Sequence, residues 1–173
     1  VGLVGAATTA HPQTTEIGER LAASGREVGL SSLRADRLND RFIAALVSAG
    51  HRVLTTASDG ASQRLRDQIQ RRAREDVLVN AAELARKHGM KRLKLYMMVG
   101  LPTETDADID ELIEFSTMLS KRIPISLGIA PFCAKRNTPP DGHEAAGSRT
   151  ADRRAQLTRP RARHRASAPD TCR

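Results

Sequence analysis

Three short runs in this chain gather side chains able to hold a polar small molecule. "SSLRAD" (31–36) puts two hydroxyls, a guanidinium and a carboxylate close together. A guanidinium is a planar fork that matches a carboxylate or a phosphate. Arg34, flanked by Ser31 and Ser32, is therefore a candidate anion contact. The plainer use of Arg34 is a surface pair with Asp36, worth under about 1 kcal/mol. "SDGASQRLR" (58–66) offers Asp59 as an acceptor for ribose hydroxyls and Ser62 as a second polar contact. Its plainer reading is helix capping by Ser58 or Asp59. In "VGLPTET" (99–105), Gly100 has no Cβ, so main chain can approach a flat ligand closely. Pro102 fixes φ there, and Leu101 offers an apolar face. The alternative is a tight strand-to-helix turn with no ligand. Metal chemistry has little support: Cys133 and Cys172 have no ligand spacing, and the five histidines are scattered singly. His11 is the one histidine in a loop that belongs with these three runs.

The elements that must position these loops alternate regularly. Apolar runs at 1–6, 27–33, 91–100 and 125–132 read as buried strands, and 52–58 as a weaker one whose second half is polar. Between them, amphipathic stretches read as helices over 14–24, 38–49, 61–72, 75–88 and 105–119. Gly25, Gly50 and Gly89 stand at helix ends, and Thr105 with Asp108 forms a capping box. Near-continuous apolar strands separated by amphipathic helices call for a parallel sheet covered by helices. Right-handed crossovers then bring every strand-to-helix loop to one end of the sheet. The run "APFC" (130–133) closes the last strand at that same end.

Composition narrows the function classes. One Tyr, three Phe and no Trp leave an aliphatic core and no stacking platform for single-stranded nucleic acid. The formal charge of +8 is unevenly placed: residues 1–134 carry 18 basic and 16 acidic side chains, and residues 135–173 carry 10 and 4. A nearly neutral domain over 1–134 is thus followed by a basic tail over 135–173. From 134 onward there is no Ile, Val, Phe, Met or Tyr, and Leu157 is the one leucine. Such a segment cannot bury enough surface to offset its ordering entropy, so we read it as disordered. Its arginine- and alanine-rich character matches GC-rich DNA translated out of frame. The cysteines imply no disulfide framework, which points to a reducing cytoplasm. No apolar run is long enough to span a bilayer.

Taken in order, "VGLVGAATTAHP", "GREVGLSSLRADRL", "VLTTASDGASQRLRDQI", "KLYMMVGLPTETDADIDELI" and "GIAPFCAKRNTPPDG" resemble the C-terminal part of a radical S-adenosylmethionine (radical SAM) enzyme core. The likeness covers residues 1 to about 142 and is to the cobalamin-binding-domain-associated and methylthiotransferase-like members. The resemblance implies an α/β fold, a partial (β/α) TIM-like barrel made of strands two to six of a (β/α)6 core. It implies S-adenosylmethionine at the carboxyl ends of the strands, cleaved reductively to a 5′-deoxyadenosyl radical by a 4Fe-4S cluster. It also leaves room for cobalamin. Carried over, Ser31, Ser32 and Arg34 would lie near the methionine moiety, and Asp59 and Ser62 near the ribose. Val99, Gly100, Leu101 and Pro102 would lie near the adenine, with Ala130 beside them on the last strand.

The departure from that family is the cluster. Its three cysteines are spaced CxxxCxxC, and no such run exists here. Because the chain opens directly on an apolar strand, we read the missing first strand and cluster loop as lying upstream in a longer chain. On that reading the first apolar run is an exposed edge and the isolated chain is marginally soluble. The competing function is a nucleotide- or nucleoside-binding α/β module without a cluster. The expected partners are the small-molecule cofactor and an unknown substrate, with no membrane and with nucleic acid touched only non-specifically through the basic tail.

Overall fold

Parallel pairing organises every strand among the described residues. A computed structural model describes residues 1–3, 8–71 and 73–134. Among the described residues are five strands: β1 (Gly2–Leu3), β2 (Gly29–Leu30), β3 (Val53–Asp59), β4 (Arg92–Val99) and β5 (Ile125–Pro131). Five α-helices lie between them: α1 (Thr14–Ala23), α2 (Asp40–Ser48), α3 (Gln63–Gln68), α4 (Glu75–Lys87) and α5 (Asp106–Ser120). Short 3-10 turns at Thr8–Ala10 and Ala35–Arg37 follow β1 and β2.

β1 pairs with β2, and β3, β4 and β5 pair in sequence order, all parallel. One parallel bridge, Leu33 to Thr56, joins the two groups. There the Leu33 N–H donates to the Thr55 carbonyl at 2.8 Å, and the buried Thr56 hydroxyl donates to the Leu33 carbonyl at 2.7 Å. The strands therefore follow one another around an arc, with their carboxyl ends on a common rim. Among the described residues the arc is open, as a partial barrel requires, and does not close on itself. The fold is α/β.

The strand alternation shows which side the helices cover. In β4, Leu93, Leu95, Met97 and Val99 are buried, while Lys94, Tyr96 and Met98 are half-buried or exposed on the other side. β3 repeats the pattern, with Leu54, Thr56 and Ser58 buried. The core is aliphatic, as the composition requires, with Leu65, Leu78, Leu112 and Leu119 contributed by the helices. α1 and α2 approach closely because residue 18 is glycine: a Cβ there would lie 2.9 Å from the Phe42 ring.

Local signals set the helix ends. Asn39 caps α2, its side chain accepting from the Phe42 N–H at 2.9 Å. The capping box of α5 forms between Thr105 and Asp108. Gly25, Gly50 and Gly89 adopt positive φ after α1, α2 and α4, where a side chain would be strained. Glu75 and Asp76 open α4 and Arg86 and Lys87 close it, matching the helix dipole at both ends.

Two boundaries differ from the sequence expectation, and a third lies partly outside the described residues. The first strand shows Gly2–Leu3, and its expected residues 4–6 fall outside the described residues. The second strand is short because the chain leaves β1 after Leu30 and turns to β3 at Leu33. The expected 61–72 helix shrinks to Gln63–Gln68, since Ser62 caps its start and Gln70, at φ 56°, lies beyond its end. The tail, residues 135–173, lies outside the described residues. Among the described residues no helix is long and apolar enough to cross a membrane.

Candidate functional site

At the carboxyl ends of β2 and β3 the rim opens into a cavity of about 310 Å³, within the range that suits a small ligand. Thr9, Ser32, Arg34, Asp36, Ala57 and Arg71 are among its lining residues. Arg34 grips Asp36 in a fork, Nε to Oδ1 at 3.0 Å and Nη2 to Oδ2 at 2.7 Å. Its own N–H donates to the Thr9 hydroxyl at 3.1 Å, fixing the loop to the first turn. The hydrogen bond from Arg34 lowers the Asp36 carboxyl below the usual carboxylate range, against the opposing effect of burial. The same bond raises Arg34. The pair is partly exposed to solvent, so it adds little stability. Its chemical value is different: a fixed positive fork and a fixed carboxylate stand side by side at the cavity wall.

Asp59 ends β3 at φ 62°, after a register slip that pairs it with Met97. Its carboxylate is bonded by Arg71, a second guanidinium lining the cavity. Gly60 follows because the start of α3 leaves no room: a Cβ there would lie 2.9 Å from the Arg66 backbone nitrogen.

Ser62 sits one step further back and is fully buried. It caps α3, accepting from the Leu65 N–H at 3.2 Å, and donates to Asp108 Oδ1 at 2.5 Å. The cap of this helix is thus Ser62 rather than Ser58 or Asp59. Asp108 is the hub of this corner. It accepts from Arg64 at 2.6 Å and from the Thr105 N–H at 2.7 Å as well. Burial alone would raise the Asp108 carboxyl, but bonds from Arg64, Ser62 and Thr105 outweigh it and hold it well below the usual range. Arg64 also donates to the Thr103 carbonyl at 2.9 Å, so α3 is tied to the turn after β4.

That turn is closed on itself. Gly100, at φ 84°, donates its N–H to Glu104 Oε1 at 2.9 Å. Val99 and Leu101 are buried, so Leu101 packs into the core instead of presenting an apolar face outward. Gly100 is buried too, so what the turn offers outward is the half-buried Pro102 ring and the exposed Thr103. Ala130 pairs with Met98 on the adjacent strand.

The structure thus brings Ser32 and Arg34 into one cavity and links Asp59 to it through Arg71. Ser31 is exposed next to Ser32. Val99–Pro102 and Ala130 lie along the neighbouring part of the rim. Arg71 and the tertiary role of Asp108 escaped the sequence reading, because their partners are distant in the chain. His11 accepts the Gln13 N–H at 3.2 Å within its own loop.

A 4Fe-4S cluster does not fit the residues present. Cys133 is exposed just past β5, Cys172 lies outside the described residues, and no group of three His, Cys, Asp or Glu among the described residues could hold a metal.

Comparison with known proteins bears on the whole arrangement. The family model for the radical SAM superfamily matches residues 1–116. The chain is 37% identical over 139 residues to an uncharacterized protein of Methanocaldococcus jannaschii. That match covers 80% of this chain and 31% of the relative's length.

Proposed function

Because the chain belongs to the radical SAM superfamily, we propose that its rim binds S-adenosylmethionine, with the methionyl end in the cavity at β2 and β3. The observation that carries this reading is the Arg34–Asp36 pair on the cavity wall. The methionyl group is a zwitterion, and the pair presents one charge of each sign at a fixed spacing. Arg34 would take the carboxylate on its Nη1 side, the edge that the Asp36 pair leaves over, and Asp36 the ammonium. Ser31 and Ser32 supply hydroxyls to the same group. Asp59, steadied by Arg71, would accept from the ribose hydroxyls. Main chain at Val99, Gly100, Leu101 and Pro102, with Ala130 alongside, would border the adenine. Ser62 acts through Asp108 by fixing α3 against the turn that carries these residues.

Reductive cleavage of the sulfonium needs the cluster, and this chain supplies no ligands for it, so no step is routed through it here. In a longer protein those thiolates would come from other residues. The superfamily match and an uncharacterized relative point to no particular substrate, and cobalamin forms no part of the proposal.

A second reading, a nucleotide-binding module without a cluster, is favoured by the cysteine count alone. Calorimetric titration separates the two. S-adenosylmethionine and S-adenosylhomocysteine should bind at one saturable site, and ATP far more weakly. ATP binding as tight as S-adenosylmethionine would favour the second reading.

A further inference from the structure

Below the cavity, on the sheet face turned away from the helices, two side chains stand in an arrangement that the rim does not use. Lys94 and Tyr96 alternate onto that face of β4. The register sets Thr55 and Ser126 beside Lys94, and Ala57 and Gly128 beside Tyr96. Ala57 is itself a lining residue of the cavity, so Tyr96 is its direct neighbour in the sheet.

The pair is held in a defined geometry. Lys94 Nζ lies 4.7 Å from the centroid of the Tyr96 ring, where a cation is attracted to the ring face. The ring lies across the neighbouring strand because residue 128 is glycine: a Cβ there would fall 2.5 Å from Tyr96 Cδ1. Tyr96 nonetheless remains 40% exposed. The other positions flanking the pair on this face, Thr55, Ala57, Met98, Ser126 and Gly128, are all uncharged. Arg92, two residues before Lys94, adds a second positive charge on the same side of β4. An ammonium on a face that holds no opposite charge of its own at these positions is matched by a ligand that brings one.

We propose that Lys94 and Tyr96 bind an oxyanion-bearing co-substrate, a carboxylate or a phosphate, with its charge on Lys94 and its adjoining surface on the Tyr96 ring. The inference rests on the reading of the adjacent cavity as the S-adenosylmethionine site, since it gives that site a substrate class.

Tyr96 is the one tyrosine and the chain has no tryptophan, so intrinsic emission reports on this face alone. The test is quenching of the full chain by iodide and by caesium at matched ionic strength. Inorganic phosphate and sodium succinate serve as separate competitors. The proposal predicts severalfold stronger quenching by iodide than by caesium, and protection by at least one competitor; the stronger protector identifies the oxyanion. Lys94→Met should abolish both effects, and Lys94→Arg should keep them. Absence of protection by either competitor in the unaltered chain would overturn the proposal whether or not the variant folds. So would an unchanged iodide preference in Lys94→Met, since the net positive charge would then explain it. S-adenosylmethionine affinity, measured on the same samples, tests the cavity reading separately, because this readout needs no S-adenosylmethionine.

Discussion

Arg34 and Asp108 are both bonded to an opposite charge, yet the two pairs should respond differently to mutation. Arg34 is half-exposed, and its pair with Asp36 stabilises the fold by less than about 1 kcal/mol. Arg34→Ala should therefore leave the urea midpoint nearly unchanged while weakening S-adenosylmethionine by about 1.5–3 kcal/mol, the range for a charged hydrogen bond. Asp108 is 4% exposed and accepts from three neighbours. Asp108→Ala removes a helix cap and strands buried donors, so it should cost about 2–4 kcal/mol in urea denaturation. The sign of its pH dependence follows from the lowered carboxyl. The stabilisation is fully present above the ordinary value of about 3.9 and is lost as pH falls through the lowered folded value. Asp108→Asn should accordingly flatten the acid limb of stability against pH. The Arg34–Asp36 pair and the Thr105–Asp108 box were legible in sequence because their members are two and three residues apart. Ser62 and Asp108 are separated by 46 positions, and nothing local to either predicts the bond between them.

Two glycines make the packing of the elements testable. At Gly18 the obstacle is the Phe42 ring, and at Gly60 it is the Arg66 backbone nitrogen, each 2.9 Å from an added Cβ. A ring can give way more readily than a helix backbone. Gly18→Ala should thus cost about 1–3 kcal/mol, and Gly60→Ala should cost more and displace α3 from the rim. Urea midpoints give the first comparison. Loss of S-adenosylmethionine affinity in the second variant, but not the first, checks the displacement. Elements with a strong apolar period, such as β4, α4 and α5, could be read directly from the sequence. The change of partner at Leu33 could not, because the same apolar residues serve a strand whichever neighbour it pairs with. The capping choice at Ser62 was hidden for a related reason: Ser58, Asp59 and Ser62 are all good caps, and tertiary bonds decide among them.

At the scale of the molecule, the arc of parallel strands explains why loops far apart in sequence share a rim. It also leaves β1 and β5 with one unpaired edge each among the described residues, a template for association. Sedimentation velocity should show concentration-dependent self-association of the full chain, and a strictly monomeric profile would contradict that expectation. The alternation of elements made the rim predictable from sequence. The cavity between β2 and β3 was not, because its shape depends on where Arg71 returns from α3. Hydrogen–deuterium exchange of the full chain, with and without S-adenosylmethionine, tests the central claim most directly. The account predicts slower exchange in residues 31–36, 57–62 and 99–105, with the amino ends of the strands unchanged. Protection confined to those amino ends, or saturable binding that leaves 31–36 unprotected, would contradict it.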